Sequence, residues 1–324
     1  MVTYEKLTRH PNTAPSLIGM SLSTFNQLYA DFEVAHVQRT SASRVTRRKC
    51  QKRQRAIGAG RRYRYDLRDR LLMTLFWLRC YMTYEVLGYF YELDKTNIEN
   101  NLKDVLATLD RMTTFTLERP SADRVKLHSP QAVMTAFPDV RLVIDAKEQR
   151  LPRPKNTKDG AGRTQDNQKP SYSGKKKAPT VKNQLAVRPE GLIEALSDSV
   201  PGGATHALTL LRQTNLLAQL AEDEAAMLDK GYDGIQNDYP EVRLQQPDKA
   251  RRNPPLPDEQ QAFNRLLARY RIVVEHTNAL LNKFQVLVQV FRHVRASHTQ
   301  IIRVVAGLVN RRIQLKPLKI YAAA

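Results

Sequence analysis

Two apolar runs in the second half of the chain each end on an aspartate: Arg-Leu-Val-Ile-Asp at residues 141–145 and Ala-Ala-Met-Leu-Asp at 225–229. Short apolar runs bounded by polar and turn residues read as buried strands, and strands of that kind need layers of other elements to cover them. A carboxylate is costly in such surroundings unless a cation or several donors satisfy it. The chain must therefore build a layered α/β unit and find a use, structural or chemical, for an acid at the end of two of its strands.

The order of segments supports this. "VRLVIDAKEQRLPRP" reads as a strand, and "TVKNQLAVRPEGLIEALSDSVPG" as a hairpin turning at Pro189 to Gly191. "ATHALTLLRQTNLLAQLAED" has helical spacing, "AAMLDKGYDG" is a short buried strand and "YPEVRLQQPDK" another. A long helix from about 258 to 284 follows, with Phe263, Leu267, Tyr270, Val274, Thr277, Leu281 and Phe284 along one stripe. A last helix over about 296–314 has an apolar face that either completes the core, the preferred reading, or joins protomers. The expectation is a mixed α/β layer over residues 138–315, carrying a polar basic loop at 156–177.

The first part has a different texture. Residues 1–33 read as a helical head and 34–65 as a basic linker; 66–120 hold three helices, about 66–80, 83–91 and 95–111, the last capped by Asp94 or Thr96. The short gap between the second and third suggests a helix-turn-helix, although "KTNIENNLKD" is less basic than a good recognition helix and three-helix units are common cores.

Charge narrows the partners. Lysine and arginine number 52 against 32 acids, a net charge of +20 that attracts polyanions, nucleic acid first. Charge alone leaves a merely basic protein open. Between Glu33 and Asp66 there is no acid, and "RTSASRVTRRKCQKRQRAIGAGRRYR" carries eleven basic residues. It reads equally as a solvated linker and as a phosphate-tracking arm, with Arg47, Arg48, Lys49, Lys52 and Arg53 as candidate DNA contacts. Cys50 and Cys80 fit neither a zinc pattern nor a disulfide framework. With no signal core and no membrane-length apolar run, a cytoplasmic location is expected.

Glu275 lies beside the buried stripe of the long helix, in a polar line with Arg271, Asn278 and Asn282. Taken singly, each acid has a blander role: a carboxylate held by backbone donors for Asp145, a turn cap for Asp229, an i,i+4 partner of Arg271 for Glu275. Taken together in so basic a chain, they form a small set of hard oxygen ligands suited to magnesium or manganese and to phosphoryl displacement.

Seven stretches in order resemble the bacterial insertion-sequence transposases of family five, whose Asp-Asp-Glu endonuclease is related to Harbinger elements: "LIGMSLSTFNQL", "LLMTLFWLRCYMTYEVLGYFYEL", "LVIDAKEQRLPRPK", "YSGKKKAPTVK", "LDKGYDG", "YRIVVEHTNALLNKF" and "FRHVRASHTQIIRVVAGLVN". The resemblance implies an RNase H-like fold in which Asp145, Asp229 and Glu275 are catalytic and hold two divalent metals, Mg2+ or Mn2+. It implies cleavage of double-stranded DNA at element ends and joining to target DNA by a homo-oligomer near the nucleoid. Gly231 and Tyr232 would shape the turn under Asp229. Lys175, Lys176, Lys177 and Arg153 would contact the DNA backbone, and Arg271 would orient Glu275. Three positions depart from the family: Lys147 where threonine is usual, Pro179 where histidine is usual, and Ala207 in place of the aspartate of a His-Asp pair. They keep open a catalytically degenerate DNA-binding repressor, and a third reading makes the chain a regulator with an unrelated α/β effector domain.

Overall fold

The structure, a computed structural model, describes residues 2–48, 63–112, 139–158, 164–203, 205–248 and 256–315. The chain divides into two compact units: residues 1–114 with 283–286 and 300–307, and residues 115–282 with 287–299 and 308–324.

The first unit is helical: α1 (Tyr4–Arg9), α2 (Ala14–Ile18), α3 (Leu22–Arg48), α4 (Leu67–Cys80), α5 (Tyr84–Tyr91) and α6 (Lys95–Arg111). α4, α5 and α6 each start on a capping side chain, the last on one of the two residues expected, Asp94. Asp66 accepts from the Asp69 amide at 2.7 Å, Thr83 from Val86 at 3.3 Å and Asp94 from Asn97 at 2.9 Å, each satisfying a donor that the first turn leaves free. Every residue from Arg70 to Leu78 is buried, so α4 is the central helix of the unit. The turn from α5 to α6 closes so tightly that a Cβ on Gly88 would stand 2.4 Å from the Leu93 carbonyl oxygen, which only glycine avoids.

The head does not end at residue 33. α3 continues to Arg48, through the first half of the stretch expected to be a linker. The reason is a long-range partner that a local count of charges misses. Asp104 on α6 accepts from Arg39 and Arg70 and lies 3.1 Å from His36 Nε2, while Arg39 Nε also donates to Thr108 at 2.9 Å. The basic residues at the start of the stretch are thus neutralised across the unit. The side chains of Arg47 and Arg48, and all of Lys49, Lys52 and Arg53, lie outside the described residues.

The second unit is mixed α/β. Its strands are β1 (Val140–Arg150), β2 (Thr157–Lys158), β3 (Thr164–Gln165), β4 (Tyr172–Ser173), β5 (Ala178–Val187), β6 (Ile193–Leu196), β7 (Val200–Pro201), β8 (Ala225–Met227) and β9 (Arg243–Gln245). Its helices are α7 (Ala207–Thr214) and α8 (Asp258–Leu281), and α9 (His298–Leu315) contributes residues to both units. A seven-stranded sheet runs β4-β5-β1-β8-β9, with β6 and β7 also paired to β5. β5 is antiparallel to both β1 and β6, whereas β8 and β9 run parallel to β1.

Alternation along β1 sorts its side chains between the two faces. Leu142 and Ile144 join a core of Ala186, Leu211, Leu217, Ala226, Leu228, Tyr232 and Ile235 on the α7 side. Asp145 and Lys147 meet α8 on the other side.

Two expectations need correction here. The segment 156–177 is not a plain loop: β2 pairs with β3, and β4 pairs with β5 so that Ser173 faces Ala178. The helix read over 204–223 is cut to α7, because Asn215 takes a left-handed conformation (φ 49°) that asparagine tolerates at a helix end.

Candidate active site

The geometry begins with register. In the parallel pair β1/β8, Val143 stands opposite Met227. Asp145 and Asp229 each lie two residues further on. Leu228 still donates to the Gln245 carbonyl at 3.0 Å, and Asp229 keeps an extended backbone, so the pairing direction persists past the end of β8. The two aspartates therefore lie equally far past the last β1/β8 pair, Asp145 within β1 and Asp229 just after β8. Asp229 also caps the next turn, accepting from the Lys230 amide at 2.7 Å. In that turn Tyr232 is buried, and the left-handed position belongs to Gly234 (φ 89°), while Gly231 has open space around it.

α8 meets the middle of β1 and the segment just after β8 with a single polar face. Residues 271, 275, 278 and 282 step by four, three and four and so share one side of the helix. Arg271 Nη1 donates to Asp229 Oδ1 at 2.9 Å, Asn278 Nδ2 to Asp145 Oδ2 at 3.3 Å, and Lys147 Nζ to Asn282 Oδ1. Glu275 lies between Arg271 and Asn278 on this face. It is exposed and, among the described residues, has neither hydrogen bond nor ion pair. Arg271, expected to orient Glu275, is engaged by Asp229 instead; the helix leaves Glu275 free and uses the arginine to tie itself to β8.

α8 thus bonds both aspartates from the helix face that also carries Glu275. Among the described residues no three His, Cys, Asp or Glu side chains are grouped so as to hold a metal ion. The donor set nevertheless fits a hard divalent cation. Asn278 Oδ1 is buried with no partner beside the Asp145 carboxylate, one more oxygen whose demand a cation would meet. Arg271 Nε is likewise buried and unpartnered.

Lys147 brings a positive charge to the same face. Burial, followed by repulsion from Lys176, pushes its ammonium down to about 8, against the pull of Asp145. Behind it, His298 is fully buried, with Nε2 2.9 Å from Gln149 Oε1 and Nδ1 2.7 Å from Ser199 Oγ. Burial first, and the Lys147 charge second, lower His298 to about 4 and hold it neutral.

The candidate phosphate contacts lie at the surface. Lys175, Lys176 and Lys177 are exposed and, with Gly174, form the four-residue turn joining β4 to β5; Arg153 is exposed after β1. Pro179 lies in β5 opposite Tyr172, and His206 occupies the N-cap of α7 without a side-chain cap bond. Asn278 and Asn282 are not among the site residues expected from sequence, and the signal for them there is the polar line shared with Arg271 and Glu275. Among the described residues no helix is long and apolar enough to cross a membrane.

Comparison with known proteins fits this geometry. A family model described as DDE superfamily endonuclease matches residues 144–310, just over half of the chain and inclusive of all three acids. The chain is 26% identical over 257 residues to a probable transposase for insertion sequence element IS702 from Microchaete diplosiphon, covering 79% of this chain and 84% of that protein. No solved structure matches the chain.

Proposed function

The chain belongs to the DDE superfamily of endonucleases, and from that premise we propose that it is a bacterial insertion-sequence transposase that cleaves element ends and joins them to target DNA. The observation that carries the proposal is that Asp145 and Asp229 are both hydrogen-bonded from the α8 face that bears Glu275. The sheet order supports an RNase H-like reading, with β6, β5 and β1 antiparallel and β8 and β9 added parallel to β1. Placement within family five rests on the order of the seven sequence stretches.

Asp145, Asp229 and Glu275 would hold the divalent cations, Mg2+ or Mn2+, two of them on this reading. Bound there, they would neutralise phosphate oxygens and activate water for in-line displacement. The remaining work falls to the chain itself. Arg271 fixes the Asp229 carboxylate, and Asn278 fixes that of Asp145, so both aspartates are oriented by a single helix. The Lys175–Lys177 turn and Arg153 supply exposed charge for the DNA backbone, a term that acts on affinity without reading sequence. The three-residue turn between α5 and α6 supports a helix-turn-helix in which α6 meets the DNA, with the active form a homo-oligomer on the element ends.

The test is strand cleavage. The purified chain, a plasmid carrying the DNA that flanks its own gene, and Mg2+ or Mn2+ should give nicks at the element boundaries that leave 3′-hydroxyl ends. Binding without cleavage under both metals would overturn the proposal.

A further inference from the structure

We propose that Lys147 is a further catalytic residue, its ammonium contacting a non-bridging oxygen of the scissile phosphodiester from the side of the cleft opposite Asp229. The inference rests on the endonuclease reading given above.

The placement follows from the strand. Lys147 stands two residues after Asp145, on the same face of β1 and about 6.7 Å further along it. Both side chains meet the polar face of α8, Asp145 through Asn278 and Lys147 through Asn282. Asp229, Asp145 and Lys147 thus succeed one another beneath Arg271, Asn278 and Asn282. A phosphodiester held at the Asp145 carboxylate would lie within reach of the lysine side chain.

Among the described residues Lys147 makes no direct ion pair. Among the described residues its hydrogen-bond partner is a neutral amide oxygen. Asp145 is bonded to Asn278, and Asp229 to Arg271. Glu148, the next residue, is taken by Lys182 at 3.2 Å and by the Ser173 hydroxyl at 2.8 Å. Asp145 attracts the ammonium without bonding it, and a partly buried cation with no direct ion pair is costly to keep. An anionic substrate group is the partner that the cleft lacks.

The chemistry is electrostatic. The water oxygen forms a bond to phosphorus and gives up a proton to solvent, the bond from phosphorus to the 3′-oxygen breaks, and its electron pair leaves on that oxygen, which takes a proton from solvent. The products are a 3′-hydroxyl and a 5′-phosphate. Lys147 keeps its protons throughout and offsets the charge that grows on the non-bridging oxygen.

The experiment pairs a change in the residue with a change in the substrate. Duplexes of the element end, either all-phosphate or with one uncharged methylphosphonate at the scissile position, are cleaved under single-turnover conditions by the native chain, Lys147→Ala, Lys147→Gln and Lys147→Arg. DNA affinity is read separately in Ca2+. On all-phosphate DNA the Ala and Gln variants should each lose about 100-fold in rate with affinity nearly unchanged, and Arg should recover much of the loss. Removing the phosphate charge should cost these two variants far less than it costs the native chain, a coupling that a merely structural lysine would not produce. The inference is overturned alone if the native chain cleaves and either neutral variant cleaves at a similar rate, or if the two losses simply multiply. A native chain that binds the duplex and never cleaves it overturns the endonuclease reading, and this inference with it.

Discussion

Arg271 and Asp229 stand 42 residues apart in the chain and are joined by a 2.9 Å hydrogen bond that ties the middle of α8 to the end of β8. The arginine is mostly buried and the aspartate nearly half exposed, so the pair is screened and contributes little to folding. Its value is positional: it sets the helix that carries Glu275 against the strands that carry the other two acids.

Replacing Arg271 separates these roles. Arg271→Ala should lower DNA strand cleavage at least ~10-fold, as expected when an orienting group is lost, yet change unfolding free energy by no more than about 1 kcal/mol. Single-turnover cleavage and urea unfolding of the same preparation check both halves. Arg271→Lys should rescue only part, since a point charge lacks the planar fork.

In the helical unit the expected stability effect is larger. Burial alone would raise the Asp104 carboxyl, but hydrogen bonds from His36, Arg39 and Arg70 overcome this and hold it well below the usual carboxylate range. Asp104→Asn leaves Arg70, itself buried, without its anion and should cost about 3 kcal/mol by urea unfolding. Because the folded group is the stronger acid, its contribution is fully present above the ordinary carboxylate range and is lost as pH falls toward the folded value. The gap between native and variant should therefore close in acid and stay constant near neutrality.

His298 gives the second unit its own pH dependence. The ring is neutral when folded and titrates near 4, whereas in the unfolded chain it gains a proton near 6.5. Stability is fully present above about 6.5 and is lost progressively as pH falls toward 4, by on the order of 3 kcal/mol in total. Unfolding measured across that range should show the loss, and His298→Gln should flatten it.

The exposed lysine turn should act through salt. Changing Lys175, Lys176 and Lys177 to glutamine should weaken DNA binding for all sequences alike and lower the slope of log affinity against log salt by about 1 for each phosphate no longer neutralised. A titration of binding against salt concentration decides it; a change in sequence preference with an unchanged slope would contradict the role.

Much of this arrangement is legible in sequence where the signal is local. Asp94 marks a helix start with its own side chain, and the apolar runs before Asp145 and Asp229 mark buried strands. What sequence hides is carried by distant partners. The continuation of α3 past residue 33 depends on Asp104, 65 residues from Arg39. The preference of Arg271 for Asp229 over Glu275, four residues away, depends on how α8 lies across β8. Asn278 and Asn282 look like ordinary surface amides until β1 brings Asp145 and Lys147 beneath them.

The central claim is that Asp145, Asp229 and Glu275 act as one site. The most direct measurement is metal-dependent cleavage of element-end DNA by the native chain and by Asp145→Asn, Asp229→Asn and Glu275→Gln, with DNA binding and folding followed in parallel. The account predicts that each substitution abolishes cleavage while the folded chain still binds DNA. Near-native cleavage by any one of the three folded variants would contradict it.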